Sequence, residues 1–425
     1  MSDITKRLEL AENVFFTAID GGKFKTNSVE IRFITKLDEN AALNNIAFSI
    51  LSAACSEYPS RLELSRCLTG LYGSSISSDV SSIGDYQLLS LGCSCIDDAF
   101  TFDGEKLTEK LIKLLLCCLF SPVAKDDIFD AELFRQLRKE TVDDIEAEIN
   151  DKRSWAINRA VEIAYKGQPY ALNPLGTKEA ALAATPAEAY AAYKRVLDTA
   201  RVEIVFCGCG NADNVRTIFA DAFSGRGRAM ATPDFPVDFE AKKEIELVTE
   251  PMDVQQSKLV MIYKSDCDDD CAMRFMNCIL GATPFSKLFV NVREKLSLCY
   301  YCSSRFNKYK GYLRIDSGVN TENIETARVE IARQLSDIAN GSFTDDDMNN
   351  SLLSILDSLN SIGDTPGGLV HWYFHSFVGG GAQSPQQEAE DFRSVTRERI
   401  INAAKSLIPD TVYIMQAEEN TEENE

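Results

Sequence analysis

Residues 286–318 read SKLFVNVREKLSLCYYCSSRFNKYKGYLRIDSG, and a stretch with the same pattern lies in the first half of the chain. Each stretch predicts a helix followed by a β-hairpin, because a helical run precedes two alternating segments joined near a glycine. The other stretch is residues 60–92, SRLELSRCLTGLYGSSISSDVSSIGDYQLLSLG, and the two align at an offset of 226 to 228 residues. Solenoid repeats have periods of roughly 20 to 50 residues. The longer period therefore indicates a duplicated domain.

The order of predicted elements supports the duplication. The first half begins with a strand at 28–37 and a helix at 41–57, and the same order begins again near residue 256. In each half a hairpin is followed by long helices and a last strand. Hairpins and runs of helices favour the α+β class over a doubly wound parallel sheet. The sequence therefore predicts two homologous domains, each a mostly antiparallel sheet covered by long helices.

The predicted domain boundaries follow from this order. We expect an N-terminal domain at 1–226 and a C-terminal domain at 246–425. Residues 227–245 form the predicted linker, because they combine two prolines, a glycine and a cluster of charges. The total of 425 residues agrees with this division, since single cores stop growing near ~250 to 300 residues.

Composition and charge narrow the functions to be considered. Hydrophobic residues make up 45% of the chain and charged residues 26%, as in ordinary globular proteins. A net charge of −21 repels nucleic-acid phosphates and anionic lipids, so neither nucleic acid nor a membrane is an expected partner. The sequence has no long apolar run and no signal-like N-terminal segment, and its 13 cysteines are expected to be reduced. We therefore expect a cytoplasmic protein.

The predicted helix at 41–57 carries an apolar stripe at helical spacing but no candidate catalytic residue. Leu43, Ile46, Ala47 and Ile50 recur on one face, which must therefore pack against a core. The segment NIAFSILSAAC within this helix contains no histidine and no acid.

This helix, the duplicated stretches and the segment GQPYALNPLGT at 167–177 together resemble the pitrilysin/insulinase family of zinc metallopeptidases. The family also includes the mitochondrial processing peptidases and the core proteins of respiratory complex III. In its active members the helix after the first strand carries the inverted motif H-x-x-E-H. The two histidines bind zinc, and the glutamate is the general base for the zinc-bound water. The resemblance covers most of the chain and implies the processing-peptidase type of fold.

The zinc motif is missing from this sequence. Alignment with the family pattern places Phe48, Leu51 and Ser52 where histidine, glutamate and histidine would stand. Phenylalanine and leucine have no lone pair to donate, and a serine hydroxyl is a poor zinc ligand. The resemblance therefore implies a degenerate zinc site, with no catalytic residue, no metal and no cofactor in this chain.

Several acids precede the segment 167–177, in the region where the family has its third zinc ligand. Glu140, Glu146 and Glu148 are the candidates for a descendant of that ligand. One carboxylate without two histidines does not hold zinc at useful affinity. The favoured interpretation is a solvated helix face.

The resemblance also implies substrate-binding residues in the second half. In the family's C-terminal signature an arginine and a tyrosine seven residues apart reach the substrate near the scissile bond. Here these are Arg293 and Tyr300, with Tyr301 as the alternative if the alignment shifts by one residue. Both side chains can donate hydrogen bonds to a peptide carbonyl. The alternative is a structural arginine paired with Glu294 or another acid.

The two histidines of the chain, His371 and His375, lie at i and i+4 in HWYFH. This spacing is compatible with metal binding, but two ligands do not make a site. A structural or surface role is the favoured interpretation, and an unconventional metal site is the alternative.

These observations predict a non-catalytic family member that is the partner subunit of an active zinc peptidase of the same family. The expected assembly is a heterodimer in which this chain binds and positions a peptide or protein substrate. One alternative is a structural or binding module without a proteolytic role, as in the complex III core proteins. The other is a self-sufficient zinc peptidase with unconventional ligands. The acidic net charge predicts a preference for basic or neutral peptides.

Overall fold

The computed structural model of the protein describes residues 7–226, 228 and 239–418. The strands are β1 (Leu8–Ala11), β2 (Val14–Asp20), β3 (Thr26–Lys36), β4 (Ser75–Ile83), β5 (Tyr86–Ile96), β6 (Ala124–Lys125), β7 (Ile128–Phe129), β8 (Arg201–Gly208), β9 (Glu246–Met252), β10 (Ser257–Lys264), β11 (Cys299–Asn307), β12 (Tyr312–Val319) and β13 (Ile408–Ala417).

The helices are α1 (Ala41–Ala53), α2 (Arg61–Gly70), α3 (Leu107–Phe120), α4 (Ala131–Ala147), α5 (Lys152–Ala164), α6 (Lys178–Ala183), α7 (Pro186–Thr199), α8 (Ala212–Phe223), α9 (Asp270–Asn277), α10 (Ile324–Ala339), α11 (Asp345–Ser361), α12 (Pro366–Val378), α13 (Pro385–Arg393) and α14 (Arg397–Lys405). Two further segments, Cys278–Ala282 and Leu288–Lys295, are wound as π-helix.

The chain forms two compact units, and each takes residues from both halves of the sequence. Unit 1 consists of the described residues of Met1–Ala147, Leu172–Asp234 and Ile362–Ser384. Unit 2 consists of those of Glu148–Ala171, Phe235–Ser361 and Pro385–Glu425. Thus α5, from the first half, lies in unit 2, and α12, from the second half, lies in unit 1.

The boundaries expected from the sequence, 1–226 and 246–425, remain predictions. Most of the predicted linker 227–245 lies outside the described residues, because these include only residue 228 and residues 239–245 of it.

Unit 1 is built on a six-stranded sheet in the order β1-β2-β8-β3-β5-β4. Only β2 and β8 run parallel within this order, and the other neighbours are antiparallel. Helices α1, α3, α4, α7 and α8 contribute to the main core with the sheet. On the sheet's other face, α12 packs Val370 and Tyr373 against Ile19 and Val205.

Unit 2 repeats the same plan with five strands in the order β11-β12-β10-β13-β9. Here β9 and β13 form the parallel pair, and the remaining neighbours are antiparallel. Helix α5 packs on one face, where Ala156 and Ala160 contact a cluster that includes Val260, Ile262 and Tyr413. The predicted α+β class with two mostly antiparallel, helix-covered sheets is confirmed.

The first helix is shorter than the prediction of 41–57. Helix α1 ends at Ala53, and Ala54 already has extended backbone angles. Cys55 and Tyr58 then exchange backbone hydrogen bonds of 3.0 Å in a tight turn. This turn satisfies the polar backbone groups that a longer helix would have used, so the chain turns before Pro59 rather than at it.

Among the described residues, no helix is long and apolar enough to cross a lipid bilayer.

Candidate functional site

The three positions of the lost zinc motif lie on α1 and have become part of the core. Phe48 is 1% exposed and Leu51 is 0% exposed. The Phe48 ring meets Phe33 of β3 edge-on, with centroids 5.1 Å apart. The Ser52 hydroxyl lies 2.9 Å from that of Ser78 on β4 and donates to the Ser49 carbonyl at 3.1 Å. None of the three side chains is arranged as a metal ligand.

Helix α1 is buried on nearly all sides, which the single apolar stripe did not predict. It contacts α4, α7, β4 and β5, so its polar side chains also face protein. The amide of Asn44 donates to Gln87 at 2.8 Å and its oxygen accepts from Arg195 at 2.9 Å. The Asn45 amide donates to the Leu175 carbonyl at 3.3 Å. Both side-chain groups of Asn44 and the amide nitrogen of Asn45 therefore already have protein partners.

The loop that resembles a family landmark, at residues 173–177, packs on the first turn of α1. The Gln87 amide donates to the carbonyls of Pro174 at 2.6 Å and of Ala41 at 3.1 Å, and so joins loop and helix. Gly176 has φ +90°, and a Cβ there would lie 2.5 Å from the backbone nitrogen of Ala42. Only glycine fits this contact, since a larger residue would meet both strain and a clash.

The acids predicted near the third-ligand position have other partners. Glu140 on α4 pairs with Arg61 at 2.5 Å, and Glu146 pairs with Lys178. Glu148 lies beyond α4, in the short 3-10 turn Glu148–Asn150. Within the described residues, no three His, Cys, Asp or Glu side chains come together as a metal site. The residues present at the family's zinc position therefore do not fit a zinc ion.

His371 and His375 lie one turn apart on α12, with ring centroids 4.2 Å apart. His371 is exposed and His375 is half-buried. The two rings are thus neighbours on one helix face, as their spacing predicted.

Arg293 and Tyr300 lie on either side of the junction between a π-helical segment and β11. Arg293 is near the end of Leu288–Lys295, is exposed, and extends over the Phe289 ring at 4.5 Å from the centroid. Tyr300 is 64% exposed. It occupies a bulge, since Cys299 pairs with Val319 and Tyr301 pairs with Gly318. The bulge leaves Tyr300 without a cross-strand partner and turns it toward solvent.

The surroundings of Arg293 do not show the ion pair of the structural alternative. Among the described residues neither Glu294 nor another acid forms an ion pair with it, and its guanidinium lies over the Phe289 ring. π-Helical turns occur frequently at functional sites. The substrate role of Arg293 and Tyr300 remains a prediction with accessible side chains to support it.

Tyr301, the alternative to Tyr300, has a different environment. Its ring is half-buried under the Arg153 guanidinium, 4.4 Å from the centroid. Burial, followed by the nearby Asp316 carboxylate, raises the pKa of Tyr301 well above its usual range. A Cβ at Gly318 would lie 2.6 Å from this ring, so Tyr301 rests directly on the neighbouring strand. It is a packed side chain rather than a free one.

Cys299 and Cys302 both lie on β11. Interaction with the Cys302 thiol lowers the pKa of Cys299 to about 7, and the Arg293 charge acts in the same direction. Arg293 is therefore close enough to influence the strand that carries Tyr300.

Comparisons with known proteins agree with this arrangement. A family model described as the peptidase M16 inactive domain matches residues 183–353. The probable inactive metalloprotease YmfF of Bacillus subtilis (strain 168) is 27% identical over 406 residues, which cover 93% of this chain and 94% of that protein.

Two solved structures share the fold. A conserved protein from Enterococcus faecalis V583 aligns with 99% of this chain and 100% of its own length, with a TM-score of 0.90 and 23% identity. A peptidase M16 inactive domain from Pseudomonas fluorescens aligns over 98% of both chains, with a TM-score of 0.76 and 15% identity.

Proposed function

We propose that this chain, which is similar to the M16, or pitrilysin/insulinase, family of peptidases and lacks the family's zinc motif, is the non-catalytic partner subunit of an active zinc peptidase. In this proposal the two proteins form a heterodimer. The active chain supplies zinc and the general base, and this chain binds and positions the peptide. We place the pair in the cytoplasm, where 13 thiols would stay reduced.

The proposal rests on one observation. The expected zinc-motif positions on α1 hold residues that cannot bind zinc, whereas the expected substrate-binding residues are exposed. The buried Phe48 and Leu51 cannot bind metal or take a proton from water. By contrast, the exposed Arg293 and Tyr300 retain donors that suit a peptide carbonyl. A chain with this division is suited to hold a substrate and needs another chain to cleave it.

Strand β11 supplies a surface for the peptide backbone. It lies at the edge of the unit 2 sheet, and none of the described strands pairs with its outer side. An extended peptide can add to such an edge through main-chain hydrogen bonds, while pockets select alternate side chains. Tyr300 projects from this edge at its bulge, so a peptide paired with β11 would lie within reach of the phenol.

Reconstitution tests the partner role. The chain is mixed with a family member that has an intact H-x-x-E-H, and cleavage of a quenched peptide library is compared with that of the active protein alone. We expect a gain in rate or a change in the peptides cleaved. Unchanged rates and unchanged products would contradict the subunit proposal and favour the structural alternative.

Metal analysis tests the self-sufficient peptidase. The chain is purified without a histidine tag, and its zinc content and peptidase activity are measured together. We expect neither stoichiometric zinc nor cleavage. Zinc at one equivalent, with activity abolished by His371→Ala, would overturn the proposal.

A further inference from the structure

Four cations lie together on the α5 side of the unit 2 sheet. Arg153 is near the start of α5, Lys258 is on β10, Arg305 is on β11 and Arg314 is on β12; we call them the cation cluster. Alternation along the strands puts Lys258, Arg305 and Arg314 on one face, because cross-strand partners and every second residue share a face.

One carboxylate contacts this cluster among the described residues. Asp316, 1% exposed, accepts a hydrogen bond from the Arg153 guanidinium at 2.6 Å and lies 3.3 Å from that of Arg314. Asp151 is also near Arg153, but it caps α5 by accepting from Arg153 and Ser154 backbone nitrogens. The charge of the cluster therefore exceeds that of the acid it contacts.

Lys258 has a neutral hydrogen-bond partner and a cation beside it. Its ammonium donates to the Gln256 amide oxygen at 2.8 Å and lies 5.8 Å from the Tyr301 ring centroid. Burial and then repulsion from Arg153 lower the pKa of Lys258. A nearby anion would relieve this repulsion.

Arg305 and Arg314 add a second unfavourable contact. They are directly opposite each other on β11 and β12, where like charges destabilise a sheet. Arg305 is exposed, and the buried Nε of Arg314 faces the Asp316 carboxylate at 3.3 Å without hydrogen-bond geometry. The exposed Arg305 guanidinium is thus available for a ligand at the sheet edge.

The geometry points to the cation cluster as a subsite for a carboxylate of the bound peptide. The inference rests on the proposed function, which supplies the bound peptide, and adds that this peptide carries a carboxylate. A peptide paired with β11 would place alternate side chains on the face that carries Tyr301 and Arg305. The carboxylate is either an aspartate or glutamate side chain or the peptide's C-terminus. Locally, the four cations reverse the preference for basic peptides that the net charge of −21 predicts.

Three labelled peptides of otherwise identical sequence test the inference on the full chain by fluorescence anisotropy. The first is neutral, with a central glutamine and an amidated C-terminus. The second has a central glutamate, and the third has a free C-terminal carboxylate. We expect the second or the third to bind about tenfold more tightly than the first, the size of a charge-assisted hydrogen bond. The tighter of the two identifies the source of the carboxylate.

Charge variants locate the effect. Lys258→Gln should remove most of the preference for the carboxylate-bearing peptide over the neutral one. Lys405→Gln, which removes an exposed cation on α14, should retain the preference. Because Lys258 is partly buried, the exposed Arg305→Gln is a second variant with the same expected loss.

The outcomes distinguish a failure of the carboxylate subsite from a failure of peptide binding itself. Equal binding of all three peptides, or a preference unchanged in both Lys258→Gln and Arg305→Gln, would overturn the carboxylate subsite and leave peptide binding standing. No binding of any peptide would overturn the proposed function and the subsite together.

Discussion

Leu51 is predicted to stand at the position of the family's catalytic glutamate, and its surroundings are those of a core residue. The side chain is fully buried in the unit 1 core. We expect Leu51→Glu to lower the free energy of unfolding by at least about 3 kcal/mol, because the carboxyl group would be buried without a partner. Leu51→Met, the control, should cost less than about 1.5 kcal/mol. Urea denaturation at pH 7 measures both, and equal stability of Leu51→Glu and the wild type would contradict the burial.

Gly176 provides a second residue-scale prediction, on the contact between the 173–177 loop and α1. Gly176→Ala should cost about 2 to 4 kcal/mol, because it adds a clash to a positive φ. The control is Gly73→Ala in the same unit, where φ is +70° but no atom lies within 4 Å of the added Cβ. That change should cost about 1 kcal/mol, the backbone strain alone. Equal losses in the free energy of unfolding for Gly176→Ala and Gly73→Ala would contradict the close contact between the 173–177 loop and α1.

Arg293 is the residue on which peptide binding should depend most. Arg293→Ala should weaken peptide binding about tenfold, as for a central interface arginine, with little change in melting temperature. Lys295→Ala removes the same charge from the same segment, where Lys295 is exposed and donates only to the Asn291 side chain at 3.0 Å. Anisotropy and thermal melting of both variants provide the comparison. A large fall in the melting temperature of Arg293→Ala alone would support a structural role.

Among elements, the duplicated helix and hairpin were predictable because their periodicity is local. The all-round burial of α1 was not, because the covering helices α4 and α7 come from residues 131–199 and leave no mark on the α1 sequence. The membership of α5 in unit 2 was missed for a related reason: an apolar helix face does not indicate which sheet it covers. The cation cluster was not predicted either, because Arg153 contacts Asp316 of β12 as a result of the packing of α5 on the unit 2 sheet.

The packing of α5 on the unit 2 sheet should depend on pH. Arg159 of α5 holds Glu250 of β9 through hydrogen bonds of 2.7 and 3.0 Å, and Tyr413 donates to the same carboxylate at 2.9 Å. The bond from Arg159, more than any other contact, lowers the pKa of Glu250. A lowered carboxyl pKa stabilises the fold above the unfolded value of about 4.3, and the benefit is lost as pH falls through the folded value.

Glu250→Gln tests this dependence. The wild type should be more stable than the variant at pH 6, and the gap should narrow as the pH falls below about 4.3. Glu162→Gln, which removes a more exposed partner of Arg159, should show a smaller gap at pH 6. Urea denaturation across pH 3.5 to 6 measures both series. A stability difference between the wild type and Glu250→Gln that does not change with pH would contradict an ion pair between Arg159 and an ionised Glu250.

For the molecule as a whole, the sequence predicted the α+β fold and the resemblance to the family, because periodicity and motifs can be read within short stretches of sequence. It did not predict that α1 is packed on nearly all sides, nor a cationic face in a chain of net charge −21. Both features depend on which segments meet in each unit. Substrate binding by Arg293 and Tyr300 still rests on resemblance and exposure.

The fate of a peptide with the purified chain tests the central claim most directly. A labelled, unstructured peptide is incubated with the chain in the presence of zinc, and binding is followed by anisotropy while mass spectrometry follows cleavage. We expect saturable binding of a peptide that stays intact, with binding weakened in Arg293→Ala. Turnover of the peptide by the chain alone, or no binding at any concentration, would contradict the claim that this protein holds substrates for another chain to cleave.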